Sequence, residues 1–520
     1  MRNVRYLTVC ASVLFVAASV HAQFEGPAPM AWRWTQPTSV APSGSPVIVD
    51  EMAFVAVGNR IFGLDRTSGN QKWKYPNVDP IPGNFRYGIQ HGEGSVVAAA
   101  DNKVIYAVDS KTGLAKWQYL SAVPFQGSPV VVGKFLVVGL NDNSLIALNM
   151  DNGQQAWQNP YRISTGLVGA LATNGNNVYY MTGANDLVAL SVLNQRISWQ
   201  KRFTSSSPDS TPVIYGDYLY MNAGQYVACF SATTGSSKWQ QNVGEQLIFS
   251  PAVTANGAMV VTRDGRARTF DAMSGRPLNR AAVELGSVPV TTPSGSGKMF
   301  LAPCTNGALN LIDSATGAVV WSYLVRPIGG TMTQTAAAGG TGAGGANRDI
   351  KIVAIPASGP AVFVGATLYV LTSDGSLCAF DKQLGVDLTG PSVKMLWPSP
   401  GEQVSGLPPL ELIFKIDDEA TGVDTKTLSI SANGQELDFE FGRDGFAVIS
   451  FSRVGKNQPM MDGRKSIKVT VSDWLGNKTV SEFGLMIDNT LRPLSRPNIN
   501  TTGPGGGVGG GRGGGGLGGG

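Results

Sequence analysis

Hydrophobic and polar positions along this chain fall into a block that recurs. Each copy opens on Ser-Pro-Val or a variant of it, runs through a short apolar stretch, breaks at Gly, and resumes. It then breaks again at Asp-Gly or Asn before a third stretch and a closing turn. The copy from Thr211 to Gly235, TPVIYGDYLYMNAGQYVACFSATTG, shows the whole order. Short apolar runs bounded by turn residues predict β-strands, and their weak alternation predicts strands covered on both faces.

The closing turn carries the strongest signal, A-x-D-x-x-x-G-x-x-x-W. It reads Ala107-Asp109-Gly113-Trp117 in AVDSKTGLAKW, and returns around Asp65, Asn149, Ser191, Ser231 and Asp313 with Trp73, Trp157, Trp199, Trp239 and Trp321. Two copies are decayed: Asp271-Gly275 leads to Asn279 and Asp381-Gly385 to Thr389. Glycine supplies the positive φ of the turn, Asp109 is placed to bond turn amides, and Trp117 is placed to lay its ring back over the glycine peptide. The third-position residues 65, 109, 149, 191, 231, 271, 313 and 381 are separated by 44, 40, 42, 40, 40, 42 and 68. A repeat of about 40 residues is the length of a four-stranded propeller blade, so eight units predict an all-β, eight-bladed β-propeller.

The docking motif, with Ser-Pro-Val eleven residues after the Trp (Trp117 to Ser128, Trp239 to Ser250), resembles the quinoprotein-type, or PQQ-like, β-propeller repeat. The resemblance spans roughly Met30 to Val393. It implies one of two kinds of protein: quinone-dependent alcohol and sugar dehydrogenases, or non-catalytic propellers such as that of the outer-membrane β-barrel assembly machinery. The dehydrogenases hold their cofactor with an adjacent Cys-Cys disulfide, a calcium bound by carboxylate and Asn, and a catalytic Asp. No two cysteines are adjacent here, so no cofactor-binding, metal or catalytic residue carries over, and no cofactor is expected.

Residues 1–22 read as an export signal: Arg2 and Arg5, an apolar run from Tyr6 to Val20, and small residues at the cleavage position. Residues 23–394 are then the propeller. Trp34 lies eleven residues before Ser45-Pro46-Val47 and is expected to be the Trp of a repeat whose front half is missing. The last repeat lacks its Trp strand, so the N-terminal strand should complete it and remove two unpaired edges. The long interval holds a Gly/Ala-rich insertion at 329–347, expected to be a disordered loop.

Residues 395–490 change pattern. Alternating strands such as Leu412-Phe414-Ile416 and Ile467-Val469-Val471, with GVDTKTLSISANGQ and VSDWLGN, resemble a bacterial Ig-like β-sandwich. Trp474 belongs to that module and is expected to be independent of the propeller. Asp417, Asp418, Glu419 and Asp424 are read as a solvated acidic turn rather than a calcium site. Residues 491–520 are read as a disordered Gly-rich tail, with 14 glycines from 503 to 520.

Composition narrows the chemistry. Without the leader, 38 Lys+Arg face 36 Asp+Glu and there is no basic cluster, which argues against nucleic acid. His91 is the one histidine left, so His-based metal sites and Ser-His-Asp arrangements are unavailable. Cys229, Cys304 and Cys378 are expected as inert core thiols, with a Cys304–Cys378 bridge left open. The resulting expectation is a monomeric, exported, non-catalytic protein-binding or scaffolding component of the cell envelope, in the periplasm or at the cell surface. Its partners would be envelope or extracellular proteins, and no transmembrane span would remain after the leader. The alternatives are a quinone-dependent dehydrogenase with an atypical site and a surface adhesion protein.

Overall fold

A computed structural model describes residues 30–494 and 499–502, apart from 37–39, 43, 205–209, 327–333, 337–347, 354, 382–388, 419 and 443. The described residues hold strands and turns and no helix. Eight four-stranded antiparallel sheets follow one another from Met30 to Phe380, each built from strands adjacent in sequence except the last. In the second sheet the order is Gln90–Gly92, Ser95–Ala99, Val104–Asp109 and Ala115–Leu120. The first strands touch one another in succession, and Val362–Val364 of the last sheet touches Val47–Val49 of the first. The ring is closed, and the fold is a propeller.

The cores lie between sheets. Val97 and Ala99 of the second sheet share one cluster with Leu136 and Val138 of the third. The middle strands are therefore covered on both faces, which is why their sequences are near-continuous apolar runs rather than alternating ones. The turns form as the motif requires. Asp109 Oδ1 accepts from the amides of Lys111 and Thr112 at 3.1 and 2.9 Å, and Gly113 N–H donates to Asp109 O. Gly113 has φ 71°, and Gln195, in the glycine slot of its copy, is held at φ 56°.

The indole rings act between sheets. Trp117 covers Gly153 of the third sheet rather than its own Gly113, which lies under Trp73. From the first sheet to the fifth, Nε1 donates to the carbonyl one residue past the next turn's first position, as Trp73 to Ser110, Trp117 to Met150 and Trp239 to Ala272. A Cβ on Gly153 would lie 2.4 Å from the Trp117 ring, so at this turn the ring rests where a side chain would begin. Where Trp is lost at Asn279, the amide takes its place over Gly317 and accepts from Thr269 Oγ1 at 2.8 Å.

Closure occurs where the sequence places it, but with a different tryptophan. The strand Met30–Thr35 pairs antiparallel with Ser376–Phe380 and so completes the last sheet. Trp32 stands opposite Ala379, as Trp117 stands opposite Ala107, with the same bulge two residues away. Trp32 Nε1 donates to Arg66 O at 3.2 Å and its ring covers Gly69. Trp34 instead meets Phe62 edge-on. The eleven-residue count measures a connecting loop, and this loop is two residues longer; strand register, not loop length, decides which ring docks.

Beyond the propeller, two sheets pack on one core that includes Leu412, Phe414, Ile430, Ile449, Val469 and Leu485. One has four strands, beginning with Ser392–Trp397; the other has five. Two stretches read as unstructured contain strand. Gln334–Ala336 in the insertion pairs with Arg348–Val353, and Ile499–Thr502 of the tail adds to that strand in parallel. The rest of the insertion and residues 503–520 lie outside the described residues.

Candidate functional site

Three places on this fold can carry function: the two loop-bearing ends of the ring, and the seam where the sandwich meets it. At one end, turns between second and third strands bring Asp101, Asp142, Asp186, Asp264 and Asp374 against Arg86, Arg162, Arg202, Arg266 and Arg33 at 2.8–3.2 Å. Most of these pairs are solvated, so they contribute little to stability. Around the inner circuit, hydroxyls join neighbouring sheets. Gly88 N–H donates to Ser128 Oγ, Ala170 to Thr211, Thr211 to Ser250, and Ser250 to Thr292, at 2.8–3.4 Å. The Ser-Pro-Val serine is thus a tie between blades, not a nucleophile.

Residue types with chemical potential are committed to packing. His91 stacks on Phe54 at 6.0 Å with rings 4° apart, and burial holds its imidazole below the ordinary histidine range. Cys229, Cys304 and Cys378 are buried thiols in no disulfide, so no Cys304–Cys378 bridge forms. Burial pushes the Cys229 thiol up to about 11 and the Cys378 thiol up to about 12, which removes the thiolate that nucleophilic chemistry needs. No cluster of His, Cys, Asp and Glu suited to a metal occurs among the described residues.

The seam was not foreseen. In the sandwich, Asp418 is followed four residues later by Gly422, the spacing of the blade turn. Asp418 Oδ1 accepts from the amides of Ala420, Thr421 and Gly422 at 3.1, 2.7 and 2.7 Å. This turn receives the seventh sheet's tryptophan: Trp321, fully buried, donates from Nε1 to Thr421 O at 2.7 Å. Gly422 lies so close to the sheet edge that an added Cβ would sit 2.8 Å from Ser322 O. Met30 N–H, on the closing strand, donates to Ala420 O at 2.8 Å.

Asp417 meanwhile forms an ion pair with Arg326, and Lys415 Nζ stands 3.8 Å from its carboxylate. Burial lowers the Lys415 ammonium below the ordinary lysine range. The carboxylates read from sequence as an acidic turn therefore do not converge. Asp417 serves a cation, Asp418 serves backbone amides, and Asp424 accepts from Lys426 N–H at 3.1 Å; Glu419 lies outside the described residues. Trp474 also belongs to the seam, packed against the cluster that holds Trp321, Tyr323 and Phe380. It is not independent of the propeller.

The comparisons with known proteins agree with this architecture. A family model described as outer membrane protein assembly factor BamB matches residues 31–241 and 212–341. A protein of that name from Legionella pneumophila is 25% identical over 196 residues, 36% of this chain and 50% of the relative. The Shewanella oneidensis protein of the same name is 23% identical over 283 residues, 49% of this chain and 70% of the relative. A tetrathionate hydrolase from Acidithiobacillus ferrooxidans is 25% identical over 296 residues, 51% of this chain and 52% of that enzyme. The match thus spans only half of the Legionella protein's length. Among solved structures, BamB from Moraxella catarrhalis superposes with a TM-score of 0.51 at 16% identity, covering 67% of this chain and 100% of that one, a likeness of fold. The family model runs from residue 31 to residue 341, through the closing strand and the docking turns of seven sheets, and this chain belongs to the family of PQQ-like propellers described as outer membrane protein assembly factor BamB.

Proposed function

We propose that this protein is an exported, non-catalytic propeller that binds or scaffolds proteins of the cell envelope. In this reading residues 1–22 are a cleaved leader, 23–394 the propeller and 395–490 an Ig-like module. One observation carries it: the repeated polar residues are spent on holding the ring together. Turn carboxylates bind turn amides, indoles lock neighbouring sheets, and the first-strand hydroxyls tie one blade to the next. What varies from blade to blade is the connecting loops, where a propeller presents its binding residues. Relatives named as outer-membrane protein assembly factors support the envelope setting. No helix among the described residues is long and apolar enough to cross a membrane.

Affinity isolation with the tagged mature chain from envelope extract tests the reading. A discrete envelope protein retained at near-equal amount supports it; recovery no better than with a tag-only control refutes it. A second arm incubates the purified chain with quinone and calcium and follows dye reduction with alcohol and glucose. Stoichiometric quinone uptake with turnover would replace the scaffold with an enzyme.

A further inference from the structure

Between the outer edge of the seventh sheet and the sandwich lies a cavity of about 430 Å³, inside the ~300–1,000 Å³ range of ligand pockets, which favour such junctions. Val319 and Leu324 line it from the propeller, and Phe439, Phe441 and Trp474 from the sandwich. These apolar and aromatic side chains share the wall with Asp417 and Asp418, whose carboxylates are already engaged by Arg326 and by turn amides, and one demand is unmet. Trp474 Nε1 is buried and has no hydrogen-bond partner, whereas the indoles that dock on turns, such as Trp73, Trp117, Trp239 and Trp321, reach a carbonyl. Buried donors without an acceptor are rare in folded proteins.

The backbone on one wall carries the same incompleteness. Val319–Leu324 is the last strand of its sheet, and no strand pairs with its outer side among the described residues. Ser322 O faces outward, toward Gly422. Leu324, two residues on, turns its N–H and C=O to the same side by the two-residue period of a strand. On the opposite wall, Glu440–Phe441 is likewise the last strand of its sheet.

We propose that this cavity is a docking site for an extended peptide segment of a partner protein. One large apolar or aromatic side chain enters between Leu324 and the Phe439–Phe441 wall. A peptide carbonyl accepts from Trp474 Nε1, and the peptide backbone runs along the sheet edge at Leu324. A main chain is the ligand that offers an acceptor, alternating side chains and edge-pairing groups together. The inference rests on the protein-binding reading but places one contact at the seam instead of at the propeller ends. Its failure leaves partner binding through those ends untouched.

The test titrates the full mature chain against a dye-labelled, end-blocked peptide of sequence Thr-Val-Thr-Phe-Thr-Val-Thr, read by fluorescence anisotropy. Saturable binding is expected, lost when the peptide's Phe becomes Ala. Trp474→Phe keeps the ring but not the donor and should bind about fivefold more weakly, the size of one neutral hydrogen bond. Leu324→Glu, on the other wall, should lose binding as well and supplies a second variant should Trp474→Phe not fold. No saturable binding up to about 1 mM, a weak limit for any specific site, would overturn the proposal. So would equal affinity in well-folded Trp474→Phe. So would binding of end-blocked phenylalanine alone as tightly as the peptide, which would mark a small-molecule pocket.

Discussion

Trp321 is where the account is most exposed to measurement, because it joins three parts of the chain. Its ring stacks on Tyr323 at 5.7 Å, meets Phe380 of the last sheet edge-on at 5.2 Å, and donates to Thr421 O in the sandwich. Trp321→Phe keeps an aromatic ring and removes the donor, leaving a buried carbonyl without that partner, at a cost of ~1–3 kcal/mol. Trp321→Ala also empties the ring's volume, for ~3–5 kcal/mol in all. At ~2–4 °C per kcal/mol for a domain of this size class, the Phe variant should melt roughly 2–12 °C lower. Scanning calorimetry is the assay. Wild type should show the propeller and sandwich unfolding together, and Trp321→Ala should pull their transitions apart. Trp117→Phe is the control. Its acceptor, Met150 O, lies in the neighbouring sheet, so it should cost a similar amount without separating the sandwich. A Trp321→Phe melt within about 1 °C of wild type, against a clear loss at Trp117→Phe, would refute the seam as a structural joint.

Other outcomes follow from the same geometry. Trp32→Ala should destabilise the ring more than Trp34→Ala, since Trp32 is the ring bonded to Arg66 O; the reverse order in thermal melts would restore the loop-count assignment. Turn carboxylates are held below the ordinary carboxylate range: Asp65 down to about 2, chiefly by the Ser68 amide, and Asp109 by the Thr112 hydroxyl and amide. A depressed carboxyl contributes stability above its unfolded value of about 4 and loses it as pH falls through the folded value. Melting temperature should therefore fall between about pH 4 and pH 2, less steeply in Asp109→Asn, and a flat profile would contradict the turn assignment. Iodoacetamide at pH 8 should leave Cys229, Cys304 and Cys378 unlabelled in the native protein and label all three in guanidinium, given their burial.

The repeat and its closure were legible because each rests on a local rule. Asp109 and Gly113 close a turn four residues apart, and a strand missing at one terminus was owed by the other. Which ring would dock was not legible from spacing, since Trp32 and Trp34, two residues apart, stand on the same face of one strand and only the pairing of Trp32 with Ala379 tells them apart. The partner of Trp117 was misplaced for a related reason: an indole on an outer strand reaches the neighbouring sheet's glycine, a contact 36 residues away in sequence. The seam did leave a trace. Asp418 and Gly422 repeat the blade spacing inside a module of different pattern, but read as part of an acidic run they suggested solvent, not a tryptophan. The strand at Ile499–Thr502 had no apolar run to announce it, because parallel pairing with Arg348–Val353 is a main-chain contact.

The proposed binding of another envelope protein at one end of the propeller can be tested by site-specific photocrosslinking in intact cells. Benzoylphenylalanine is placed at Leu114 and Met273, exposed in turns between third and fourth strands, and at Leu120 and Val288, exposed at the opposite end. The account predicts a discrete protein adduct from one end and none from the other. Irradiation that yields no protein adduct from either end would contradict it.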